Sequence, residues 1–208
     1  RHGLESLDQY PKKPRLYLLT SIGALQTNRG DTAVSLLEKG QTLVEDDPSL
    51  RIQFLTQLGE AHYQEKEYDR AWKYFEEVIR LDPDNVLVLN NYSYYLSLRG
   101  ENLDKALKYS RMAIDEEPDN AVYLDTYAWI LYRKGEIRKA RKFIEKAIDN
   151  GGGGDPDIVE HYGDILFKMG EKDKAVDQWT RSRNLGNASE AVRYKIKHKK
   201  LPPDAHEK

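Results

Sequence analysis

The chain has 208 residues, 39% of them apolar, which is enough to bury a sizeable core in one structural unit. Its 33 basic and 35 acidic side chains leave a net charge of −2, so no global attraction to nucleic acid or to an acidic surface is encoded. The absence of cysteine excludes disulfides and thiolate chemistry while leaving the compartment open, and no apolar run approaches the roughly 18 residues of a membrane span.

In chain order, residues 1–13 read as the tail of an upstream helix, and their opening stretch RHGLESLDQYP lacks the apolar core of a signal peptide. A helical array follows over residues 14–187. Its first hairpin, 14–47, is the least regular, with Tyr17, Thr20, Ser21 and Ala24 on one helix and Ala33, Leu37 and Gly40 on the other. The second, 52–83, is the template: Leu55, Leu58, Gly59 and His62 share one face, and Ala71, Phe75 and Val78 share another. The third, 86–118, repeats this with Leu89, Tyr92, Ser93 and Leu96, then Ala106, Ser110 and Ala113. The fourth, 121–150, offers Leu124, Tyr127, Ala128 and Leu131, then Ala140, Ile144 and Ala147, and Gly151–Gly154 break it. The fifth, 156–185, offers Val159, Tyr162, Gly163 and Leu166, then Ala175, Trp179 and Ser182. Residues 188–208 are expected to form a capping helix and a polar tail.

The repeat is written in small residues and turn formers. Gly100, Gly135 and Gly170 stand 35 apart, and Ala71, Ala106, Ala140 and Ala175 are separated by 35, 34 and 35. Pro48, Pro83 and Pro118 keep the same beat behind acidic clusters where a helix is expected to end. Antiparallel helices approach closely only where one side is small, the role assigned to Gly59, Ser93, Ala128 and Gly163 opposite the alanines. Phe75, Ile144 and Trp179 are then expected to fill the space toward the next hairpin, and each hairpin buries its face only by stacking on a neighbour.

The run Leu58-Gly59, Tyr68, Ala71, Phe75 and Asp82-Pro83 resembles a tetratricopeptide repeat, and the likeness extends over residues 14–185. The segments NNYSYYLSLRGENLDKA, YLDTYAWILYRKG and EHYGDILFKMG are similar to bacterial multi-repeat members of that family, many of which carry lipoprotein or secretory signals. The resemblance implies an all-α fold, a right-handed α-solenoid of five hairpins with a carboxy-terminal capping helix, and by analogy an envelope location. It also implies a non-catalytic protein–protein interaction scaffold whose concave face, lined by first helices, holds a peptide or a partner helix. The alternative is a structural spacer within a longer array whose partners bind elsewhere.

On that face, a 3-4-3 spacing offset from the packing face gives Tyr63, Asn90, Tyr94, Asp125, Trp129, Tyr132, Glu160, Asp164 and Phe167 as candidate partner-binding residues. Exposed rings in such a stripe mark a contact surface, or else they pack against adjacent first helices and never meet a ligand. Glu60, Asp125, Glu160 and Asp164 make the stripe's far half acidic, favouring a basic or amine-bearing segment. Some relatives grip the carboxylate terminus of heat-shock chaperones with Lys, Arg and Asn; Asn90 and Asn91 fit that pattern, but Leu18, Ile22, Thr56 and Glu60 do not.

The remaining candidates are weak. Gly151–Gly154 has no following Gly-Lys-Ser/Thr and reads as a flexible loop. His2, His62, His161, His198 and His206 lack metal-ligand spacing, and His62 lies on a packing face where a hydrogen-bonded core histidine is the default. The segment RYKIKHKK, 193–200, complements a helix dipole. No metal, cofactor, nucleic acid or membrane insertion is expected, and the partner is a protein or peptide.

Overall fold

The computed structural model describes residues 7, 9–44 and 46–203. The expected upstream tail, residues 1–13, lies partly outside them, as do His2, His206 and the end of the expected polar tail. Among the described residues there is no strand. The helices run α1 (Pro14–Gln26), α2 (Gly30–Gln41), α3 (Pro48–Gln64), α4 (Tyr68–Leu81), α5 (Val86–Arg99), α6 (Leu103–Glu116), α7 (Ala121–Arg133), α8 (Ile137–Asp149), α9 (Pro156–Lys168), α10 (Lys172–Asn184) and α11 (Glu190–His198). The chain divides into two compact units, Arg1–Val88 and Leu89–Lys208.

In the first unit α1 packs on α2 and α3 on α4, with further contacts from α3 back to α1 and α2. Tyr17, Leu37, Phe54 and Leu58 are the bulk of its core. Gly40 supplies the close approach in the irregular first hairpin, since a Cβ there would stand 2.6 Å from Tyr17 Cβ and 2.7 Å from the Phe54 ring. Gly59 does the same in the second, under Phe75 at 2.5 Å. The small residue therefore changes helix between these hairpins, which is why the first looks irregular. Pro48 opens α3, capped by Asp47 accepting the Leu50 N–H at 2.9 Å, and does not close α2, which ends at Gln41.

In the second unit α7 packs on α8, α9 on α10, and α11 on α10, while α7 and α9 touch directly. Gly163 lies against Trp179, which is fully buried and fills the gap inside its own hairpin. Asn120 and Asp155 cap α7 and α9 by accepting two backbone N–H groups each. Gly152–Gly154 form a 3-10 turn, not a free loop: the Arg181 guanidinium donates to the Gly153 carbonyl at 2.5 Å.

The hairpin turns share one hydrogen-bond pattern. At Gly135 the residue is left-handed (φ 77°), the Gly135 N–H reaches Tyr132 O at 2.9 Å, and the Glu136 N–H reaches back to Leu131 O at 2.9 Å. Lys66 holds the corresponding place in the second hairpin with φ 62°, its neighbour Glu67 donating to His62 O at 2.8 Å. A side chain at such a φ is strained where glycine is not. Lys66→Gly is therefore expected to stabilise the chain by about 0.5–1 kcal/mol, read as a raised urea midpoint; an unchanged or lowered midpoint would contradict the assignment.

Candidate partner-binding site

The 35-residue period sets Asn90, Asp125, Glu160 and Lys195 at one repeat position and Tyr94, Trp129 and Asp164 at the next, and Asn90, Asp125, Asp164 and Lys195 are buried. Among these residues stands His161. Its Nδ1 lies 2.9 Å from Asp125 Oδ1, and its ring lies flat on the Trp129 indole, centroids 4.1 Å apart at 19°. Trp129 stacks in turn on Tyr132 at 4.8 Å, and Tyr94 stands tilted 6.4 Å from His161. Burial pulls the His161 pKa down, but the Asp125 carboxylate, with Asp164 and Glu160 behind it, outweighs burial and holds it above the ordinary histidine value.

The acids of this face are paired within the chain. Lys195 of α11, its side chain 6% exposed, donates to Glu160 Oε1 and, at 2.7 Å, to Asp164 Oδ2. The other Asp164 oxygen accepts the Trp179 Nε1–H at 2.8 Å, and Asn187 Nδ2 donates to Glu160 Oε2 at 2.6 Å. Burial pushes the Asp164 carboxyl above its usual pKa, and Lys195 recovers only part of the shift. Asp125 and Asp164 are both buried. The surface expected to be openly acidic thus presents carboxylates already matched by His161 and Lys195.

Of the candidate residues, Asp125, Tyr94, Trp129 and Tyr132 gather around His161, and Glu160 and Asp164 gather around Lys195. The others stand apart. Tyr63 belongs to the first unit, half-buried, 5.6 Å edge-on to Tyr68 and 5.9 Å from Trp72. Asn90 is buried, its Nδ2 donating to Asn91 Oδ1 at 3.3 Å, with Oδ1 lacking a partner. Phe167 tilts against Trp179 at 5.6 Å as part of the last hairpin's core. His161 and Lys195 were missed by the sequence reading. The signal for Lys195 was its place 35 residues beyond Glu160, which continues that repeat position past the last hairpin.

Among the described residues no cluster of His, Asp or Glu could hold a metal ion, and no helix is long and apolar enough to cross a membrane. His62 is 1% exposed, its Nδ1 2.7 Å from Glu67 Oε2 and its ring stacked on Tyr74, a core histidine.

The tetratricopeptide repeat profile matches residues 52–85, the α3–α4 hairpin. No curated protein sequence is significantly similar to the chain. Solved structures share its fold. MamA from Desulfovibrio magneticus RS-1 is 18–19% identical, with a TM-score of 0.67 over 86% of this chain and 97% of that one. A thermophilic TPR protein of Thermus thermophilus is 18% identical, with a TM-score of 0.72 over 89% and 98%. A chain of the APC/C hetero-tetramer Cut9–Hcn1 is 18% identical, with a TM-score of 0.81 over 96% of this chain and 39% of that one.

Proposed function

We propose that this chain, a tetratricopeptide-repeat protein, is a non-catalytic interaction scaffold that holds a peptide or partner helix against the inner side of its first helices. Proteins of this fold typically mediate protein–protein contacts. The observation that carries the reading is the half-buried ring cluster of Tyr94, Trp129 and Tyr132, drawn from two first helices and gathered on His161 of a third. Rings in partial contact with solvent offer large apolar area at small entropic cost to a binding segment. The spacer reading is favoured by one different observation, that the acids of this face are matched internally.

Affinity capture from the source organism with the parent chain, Tyr94→Ala and Trp129→Ala distinguishes them. Loss of a defined set of partners with both variants, at unchanged helical circular dichroism, supports the groove. Retention of every partner assigns the chain to the spacer role.

A further inference from the structure

At the carboxy-terminal end of the second unit a cavity of about 440 Å³ opens between α7, α9 and α11, walled by Trp129, Arg133, Lys168, Lys195, Leu201 and Pro202. Its volume suits a few side chains of a bound segment. Asp164 is its one acid among the described residues, and both of its oxygens are engaged by Lys195 and Trp179. Two cations of the wall have no such match. Arg133 gives Nη1–H to the Leu98 carbonyl at 3.3 Å and meets no carboxylate among the described residues. Lys168 is exposed and has no bonding partner among them. Trp129 adds a buried Nε1–H that lacks an acceptor, a state that costs free energy until an acceptor arrives. Ile137, Leu201 and Pro202 give the cavity an apolar side.

Unmatched positive charge, an unused indole donor and an apolar wall complement a carboxylate carried next to an apolar residue. A dianion is disfavoured, because Lys195, the third cation of the wall, is already shared by two carboxylates, Glu160 and Asp164. We propose that this cavity receives an Asp or Glu side chain of a partner protein's extended segment, its carboxylate between Arg133 and Lys168 and its apolar neighbour on Leu201 and Pro202. This rests on the interaction reading above and specifies the partner's chemistry at one end of the site.

The test titrates the isotopically labelled chain with a capped pentapeptide alternating Leu and Glu, following the Trp129 indole N–H resonance, assigned with Trp129→Phe. Saturable movement is expected, with affinity reduced about tenfold by Lys168→Glu and by Gln in place of Glu in the peptide. Equal affinity for the Gln peptide, or no effect of Lys168→Glu, overturns the proposal, as does tighter binding when phosphoserine replaces Glu. A variant ending at Pro203 is expected to bind the peptide unchanged; a tenfold gain there would assign the cavity to the chain's own Asp204 and Glu207 and overturn the partner. The two readings separate cleanly. A captured partner lost with Tyr94→Ala but kept with Lys168→Glu removes the cavity assignment alone, and the reverse pattern removes the ring cluster alone.

Discussion

Lys195→Met is expected to destabilise the second unit by about 3 kcal/mol at neutral pH, because it removes the shared cation from two carboxylates and leaves them facing each other in a largely buried site. The side chains of Lys195 and Asp164 are each 6% exposed and that of Glu160 is 15% exposed, so solvent screens the loss poorly. The pH dependence has a definite sign. Asp164 already has a folded pKa above its ordinary value, so its ionisation weakens the fold as pH rises through the interval between the unfolded and folded values. Without the ammonium that folded pKa climbs further and the interval widens upward. The deficit of Lys195→Met should therefore be small in acid, where Asp164 is protonated, and grow toward neutrality. Urea unfolding at several pH values reads it directly; a deficit that shrinks as pH rises would mean that Lys195 is not the partner the geometry indicates.

Gly163→Leu is expected to cost about 3 kcal/mol through overpacking. A Cβ at this position stands 2.5 Å from Trp179 Cδ1 and Nε1 and 3.2 Å from the Ala175 carbonyl oxygen, so neither a large buried ring nor the backbone can give way cheaply. Displacing Trp179 also strains its bond to Asp164. This variant and Lys195→Met touch the same carboxylate and should combine non-additively. Because hairpins stack on neighbours, the damage should concentrate around α9 to α11, and hydrogen exchange should accelerate there while α1 to α4 keep their protection. Uniform acceleration along the chain would refute nearest-neighbour stability.

The architecture was legible because steric requirements leave marks on a single sequence. Gly59 and Gly163 must be glycine under Phe75 and Trp179, and Gly100, Gly135 and Gly170 occupy left-handed turns, so their spacing states the repeat openly. Where another residue tolerates the same backbone, as at Asn28 and Lys66, the mark disappears although the turn persists. Pro48 misled because proline both follows helices and opens them, and only the Asp47 cap decides between the two. The spacing of the rings was legible and the pairing of the charges was not. Asp125, Glu160 and Asp164 fall on one helical stripe by their spacing, but a carboxylate's state depends on which cation arrives from 31 to 36 residues away. Lys195 sat within a run of basic residues that a helix end accounts for by itself, so nothing local separated the buried ammonium from its solvated neighbours.

The pairings Asp125 with His161 and Glu160 with Lys195 each step across one repeat, so the fourth hairpin is addressed to the fifth and the fifth to the capping helix α11. The order of hairpins is consequently written in their inward charges as well as in their covalent sequence. Exchanging the fourth and fifth hairpins, each built of two 13-residue helices, would bring Lys195 opposite Asp125 and leave His161 and Glu160 to find new company, so modules of like length in this array are not interchangeable parts.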